Sequence, residues 1–173
     1  MVQYIYPLLL VFFAAILLTL GSLLILMYYF RQNGKKKLPN LGEDRKIIIT
    51  LRLQAYERIV LFLERITPNN LVLRIQSPEM SSLQLQAALI QSIREEYEYN
   101  LSQQLYISSK AWELVRNAKE EVIRLINKAG GKLPETAPGA ELIPVILELY
   151  LENERFAVNL ALDKVKEELR KLF

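Results

Sequence analysis

Residues Tyr4 to Phe30, YIYPLLLVFFAAILLTLGSLLILMYYF, run for 27 positions without a charge, and the first charge anywhere in the chain is Arg31. In water that much apolar surface would have to be hidden, and no downstream stretch of matching length offers it a partner. In a bilayer the same surface meets acyl chains, while an α-helix satisfies its own backbone groups internally. At ~1.5 Å rise per residue the run spans roughly 40 Å. That exceeds the roughly 30 Å hydrocarbon core, so the helix can cross with tilt or with its ends in the headgroups. The sequence therefore predicts a transmembrane anchor over residues 1–30.

The flanks favour a retained anchor over a cleaved signal peptide. Residues 1–30 hold no Lys or Arg, so there is no basic n-region, and no small-x-small site precedes a polar start. Tyr4 and Tyr6 at one end, and Tyr28, Tyr29 and Phe30 at the other, suit the two interfacial belts. Pro7 falls in the first turn of the expected span, where a missing N–H costs little, and Phe12 belongs to its apolar body. Ala15, Thr19 and Ser22 set small residues at i, i+4 and i+7, with Ala14 and Gly21 alongside. That spacing suits a helix–helix contact, although small residues are common in membrane helices.

Arg31, Lys35, Lys36, Lys37, Arg45 and Lys46 follow the span and no cation precedes it. By the positive-inside rule the N-terminus faces out and the rest stays in the cytoplasm. In a bacterium this describes a single-pass protein of the inner membrane. The absence of cysteine fits that compartment without requiring it.

The formal charge of +3 is local in origin. Residues 31–46 hold six basic and two acidic residues, whereas 47–173 hold 16 basic and 17 acidic. The excess is thus a juxtamembrane collar that meets lipid headgroups, not a nucleic-acid-binding face. Three segments result: an anchor (1–30), a basic linker (31–43, with Gly34, Pro39 and Gly42) and a cytosolic helical domain (44–173). That domain is long enough for one hydrophobic core and too short for two.

Periodicity within 44–173 predicts a mainly α fold of about four helices. The first runs from Asp44 to Ile66, with Ile49, Leu53, Tyr56, Val60 and Leu63 on one face, and ends at Thr67-Pro68. Residues 71–76 (LVLRIQ) alternate partly and suit a short strand. Ser81 or Ser82 caps a helix to about Tyr99, with Leu83, Ala87, Ile90, Ile93 and Tyr97 on its buried face. Residues 100–108 either continue that helix or hold a second strand over 104–107 that pairs with 71–75; the extended form is favoured. Ser108 or Ser109 caps the next helix, with Leu114 or Val115, Ala118, Val122, Leu125 and Ala129 as its stripe. Gly130 and Gly131 end it by adopting the left-handed conformation. After a loop over 130–140, a last helix starts between Ala140 and Pro144 and reaches Leu172, softened or interrupted at Asn153 and Asn159. Its end, LDKVKEELRKLF, pairs Glu167 with Lys171 and reads as a separate amphipathic helix or docking tail.

Chemistry is bounded mostly by absent residues. Zero His and zero Cys remove Ser-His-Asp and Cys-His hydrolases, HExxH zincins and Cys/His zinc sites. Gly131-Lys132-Leu133 has neither the spacing nor the Ser/Thr of a phosphate loop, and no Ser is followed three places on by Lys. Asp44 and Asp163 are the only aspartates. The glutamate clusters Glu95-Glu96-Glu98, Glu120-Glu121 and Glu152-Glu154 point to different helix sectors and have local partners, Arg94 with Glu98 and Glu120 with Arg124. A solvated, salt-bridged surface explains them better than a metal or catalytic site. Tyr99, Tyr106 and the sole tryptophan, Trp112, with Tyr97, form a candidate partner surface that core packing would explain equally well.

The segments QAYERIVLFLERI and NLSQQLYIS lie in a run from Leu51 to Asn127 that resembles small membrane-anchored proteins of the Bacteroidota with no assigned activity. The resemblance implies a bacterial inner-membrane setting and transfers no site residues. The function expected is a membrane-anchored accessory or adaptor protein. Its cytosolic domain would bind a protein partner in a larger assembly, with no cofactor, no metal and no nucleic acid. The alternatives are a tethered enzyme using Glu, Lys or Arg chemistry and a self-associating scaffold. A stator-like stalk is disfavoured, because Pro68, Pro78, Pro134 and Pro144 interrupt the chain where such a stalk needs one unbroken helix.

Overall fold

A computed structural model describes residues 2–33, 41–153 and 156–171. The chain divides into two compact units, Met1–Lys46 and Ile47–Phe173. Among the described residues the elements are α1 (Val2–Asn33), α2 (Leu41–Ile66), α3 (Pro68–Ile75), α4 (Ser82–Tyr99), a 3-10 turn (Leu101–Leu105), α5 (Ser109–Gly130), α6 (Gly139–Leu151) and α7 (Ala157–Arg170).

The first unit is built on α1. Over Phe13–Arg31 this helix is long and apolar enough to cross a membrane by length and composition, and none of that window is buried. Two of its hydroxyls bond back within the helix: Thr19 Oγ1 donates to the Ile16 carbonyl at 2.9 Å and Ser22 Oγ to the Thr19 carbonyl at 2.8 Å. Such back-bonding removes most of the cost of placing a hydroxyl in hydrocarbon. Helix extends into both ends of the stretch expected to be linker, since α1 continues to Asn33 and α2 begins at Leu41. Residues 34–40, with Lys35, Lys36 and Lys37, lie outside the described residues.

The second unit is mainly helical, built from most of α2 and from α3 to α7 in place of about four helices, with no strand among the described residues. Its core is one cluster. Tyr56, Ile59, Phe62, Leu63 and Ile66 of α2 meet Leu85, Leu89 and Ile93 of α4, and Ala111, Val115, Ala118, Val122 and Ile126 of α5. α5 is central, packing against α4, α6 and α7. Full burial of one large apolar side chain contributes roughly 1.5–3 kcal/mol, against about 0–1 kcal/mol for an exposed ion pair. These stripes, and not the surface charges, hold the domain together.

The expected strand over 71–76 is instead the helix α3. Pro68 occupies its first turn, where its fixed φ favours helix and its missing N–H is no loss. Leu71 and Val72 are buried while Leu73 is 72 % exposed, a pattern that fits a helix face and breaks the alternation a strand requires. Leu71 N–H bonds the Thr67 carbonyl at 2.9 Å, and Asn70 Nδ2 donates to the Glu64 carbonyl at 2.9 Å, closing the end of α2. With no strand at 71–75, residues 104–107 have nothing to pair with. Leu101–Leu105 wind into the 3-10 turn after Asn100, whose Nδ2 donates to the Glu96 carbonyl at 2.7 Å.

Of the face expected for α4, Ile93 is buried and Ile90 and Tyr97 pack against the core, while the first turns differ. Ser82, Leu85, Leu89, Ser92 and Ile93 are buried, whereas Leu83 is 46 % exposed and Ala87 faces out. Ser81 and Gln84 form a reciprocal capping box, and Ser82 N–H bonds the Ala137 carbonyl at 2.7 Å, tying α4 to the 131–138 loop. Gly139 fits under that contact, because a Cβ there would sit 2.7 Å from the Met80 carbonyl oxygen.

The end of α5 differs from expectation in its conformation. Gly131 caps α5 at φ −67°, and no described glycine has positive φ; short backward bonds from Lys132 to Ala129 and from Leu133 to Gly130 finish the helix. Beside Gly130 lies the end of the Gln86 side chain, whose Nε2 donates to Asn127 Oδ1 at 2.9 Å. The C-terminal stretch forms two helices, α6 and α7, the interrupted form of the two expected. The chain turns after Leu151 so that Phe156, 1 % exposed, enters the core edge-on to Tyr150 at 4.8 Å before α7 begins.

Candidate functional site

The sequence-predicted anchor residues are spread along α1. Ala15, Thr19, Ser22, Tyr28 and Tyr29 are exposed and Gly21 is half-buried; the side chains of Tyr4, Pro7 and Phe12 lie outside the described residues. In the basic collar, Arg31, Arg45 and Lys46 are exposed.

The three aromatics expected as a partner surface go to different places. Trp112 is half-buried and stacks on Tyr97 with ring centroids 5.4 Å apart. Tyr97 in turn meets Phe62 at 5.9 Å and carries Lys119 Nζ 4.3 Å above its ring. This ladder anchors Trp112 to the core. Tyr106 is half-buried, and its carbonyl accepts from Arg52 Nε at 3.1 Å. Tyr99 alone of the three is largely exposed, at 79 %, and it lines a cleft that local sequence pattern does not reveal.

That cleft, of about 560 Å³, lies between α2, α3 and α4. α2 contributes Arg58, Leu61, Phe62 and Arg65, spaced i, i+3, i+4 and i+7 along one face. α3 adds Arg74, and α4 adds Ser92, Glu95, Glu96 and Tyr99, with Asn100 at its end. Glu96 is shared between two guanidinium groups, Arg65 at 2.6 Å and Arg74 at 3.6 Å. Glu95 accepts from Gln91 Nε2 at 2.8 Å. Arg65 Nε is buried without a hydrogen-bond partner. Burial first, and then the neighbouring Arg65 charge, lower the pKa of Arg74 against the opposing pull of Glu96. No ion pair engages Arg58 among the described residues. Three cations thus face two carboxylates, next to the exposed apolar surface of Leu61 and Tyr99.

The glutamate pairings expected from local spacing are replaced by others. Glu96 reaches across to α2 and α3, and Glu120 pairs with Lys119 at 2.8 Å. The Lys119 bond lowers the Glu120 pKa, with Arg124 and Arg94 adding weaker Coulombic pulls. The expected Glu167–Lys171 pair is present. What hid the cleft was the α3 misreading: Arg74 becomes a cleft residue only once 68–75 is helical and folded back beside α2.

A second polar cluster is structural. Glu168 of α7 accepts from Ser108 Oγ at 2.6 Å and from the Tyr56 hydroxyl at 3.1 Å, with Lys164 Nζ at 3.6 Å. Ser108 Oγ also accepts from Ala111 N–H as the cap of α5, and Arg52 Nη2 donates to the Tyr56 hydroxyl at 3.3 Å. One carboxylate therefore joins α2, the start of α5 and α7. Burial pushes the Glu168 pKa up, yet the Ser108 and Tyr56 bonds and the Lys164 charge outweigh it, and the net shift is downward. Such a group stays ionised at neutral pH, with its acceptor positions in use.

No curated protein and no solved structure matches the chain. A family model described as a family of unknown function, DUF7935, matches residues 2–172. Because that match spans nearly the whole sequence, the chain belongs to the DUF7935 family.

Proposed function

We propose that this protein is a single-pass, membrane-anchored accessory or adaptor protein whose helical domain binds a protein partner within a larger membrane assembly. The observation that carries the reading is the incompletely neutralised, partly apolar cleft of Arg58, Arg65, Arg74, Leu61 and Tyr99, on a chain that also holds a membrane-length helix. Cations after the span and none before it support a cytoplasmic domain, and the Bacteroidota resemblance supports a bacterial inner membrane. The enzymatic alternative needs a carboxylate free to exchange a proton near neutral pH. Glu168, a part-buried carboxylate, has its two oxygens engaged by Ser108 and Tyr56, which supports a structural role for it.

The test is purification of the tagged full chain at native expression level in polymer nanodiscs, followed by mass spectrometry. A stoichiometric companion is expected. Recovery as a lone monomer would remove the adaptor reading.

A further inference from the structure

We infer that the cleft between α2, α3 and α4 receives an acidic side chain of a partner polypeptide, met by Arg58 and Arg74, with a neighbouring apolar side chain resting on Leu61 and Tyr99. This rests on the adaptor reading and names the chemistry of the segment recognised. The charge balance is the first support. Glu96 already serves two arginines, Glu95 is held by Gln91, and Arg58 has no ion pair among the described residues. Arg74 is only 30 % exposed yet has nothing closer than a shared carboxylate at 3.6 Å. A partly desolvated guanidinium so weakly paired gains from a second acceptor, and the guanidinium fork matches a carboxylate with two parallel bonds.

The walls also select the anion. Glu95 and Glu96 would repel a phosphate dianion, whereas three cations against two carboxylates leave one positive charge, the complement of one carboxylate. Leu61, 56 % exposed, and Tyr99, 79 % exposed, stand in the same cleft. A small free carboxylate would leave both uncovered. A polypeptide with an apolar residue beside its acid covers them, and aromatic anchors beside arginine are what dominate partner recognition.

The probe is a displayed library of random twelve-residue peptides, selected on the full chain in nanodiscs. Binding of the most enriched peptide is then followed by fluorescence anisotropy. Enriched sequences should place Asp or Glu beside Leu, Ile or Phe. Arg58→Glu should weaken the peptide by about tenfold or more, the scale of a lost charged hydrogen bond. Arg58→Lys, keeping charge without the fork, should fall between. Arg58 makes no ion pair among the described residues, so its variants should melt as the parent does. Arg74→Gln supplies an independent second loss should Arg58→Glu misfold.

No enrichment, enrichment without an acid, or equal binding to Arg58→Glu and Arg74→Gln would each overturn the inference. So would displacement of the peptide by millimolar inorganic phosphate in preference to acetate, which would make the cleft a phosphate site. The two readings fail separately. A companion that co-purifies equally with the parent and with Arg58→Glu keeps the adaptor role and removes the cleft chemistry. Acid-selective peptides without any co-purifying companion do the reverse.

Discussion

Glu168 shows how one side chain can set the pH range of a fold. Its folded pKa lies below the ordinary value of 4.5, because the Ser108 and Tyr56 bonds and the Lys164 charge outweigh the burial that opposes ionisation. A depressed folded pKa contributes stability that is fully present above the unfolded value and is lost as pH falls through the folded one. Tyr56 works at the other end. Burial foremost, with Glu168 as an added cause, raises its pKa above 10.0 despite Arg52, so its contribution persists at lower pH and disappears as pH rises through that raised value. Glu168→Gln should therefore cost about 1–2 kcal/mol at neutral pH, where charged acceptors are lost from Ser108 and Tyr56. The gap between parent and variant should close as pH drops below about 4.5. Denaturant titrations from pH 3 to 8 check this; a gap independent of pH would mean that shape, and not ionisation, sets the contribution of Glu168.

At the scale of elements, the start of α7 depends on a residue of another helix. Its N-cap position is Phe156, which offers no side-chain acceptor. Glu121 of α5 supplies one, accepting from Ala157 N–H and from Asn153 Nδ2, both at 2.8 Å. A carboxylate there also suits the positive end of the helix. Glu121→Ala should cost about 1 kcal/mol, the usual value of a lost cap. Amide hydrogen exchange should quicken at 157–160 and stay unchanged in α4; uniform quickening would instead indicate general loosening. The same tertiary dependence explains which elements could be read from sequence. α5 was legible because Ser108, Val115, Ala118, Val122 and Ala129 state its cap and stripe locally. α3 was not, because eight residues hold too few turns to separate helix from strand, and Pro68 reads both as a stop and as a first-turn residue. In α4 the cap and the inward positions Ile90, Ile93 and Tyr97 are legible locally, whereas the contacts of its first turn with Ala137 and Gly139 come from far along the chain. The cleft is hidden with α3, since Arg74 joins it only where Pro68–Ile75 is helical.

The whole molecule raises a question of sidedness that its own composition makes testable. An apolar helix over Phe13–Arg31 is followed by Arg45 and Lys46 and by a unit in which acidic and basic residues nearly balance. The barrier to moving cations across a bilayer then rests on the collar, and the collar should decide orientation. Because the chain holds no cysteine, one introduced thiol is the only thiol a maleimide can find in it. Gln3→Cys should react in intact cells with a membrane-impermeant maleimide. Lys132→Cys, on the exposed loop after α5, should react only after the cells are opened. The reverse pattern would place the arginine cleft outside the cytoplasm and remove every cytoplasmic partner from consideration. Changing Arg31, Lys35, Lys36, Lys37, Arg45 and Lys46 together to Gln should scramble the labelling if charge sets the orientation. Labelling unchanged by that substitution would assign orientation to the folding of Ile47–Phe173 before insertion is complete, since a folded helical unit does not cross whatever the charge beside it.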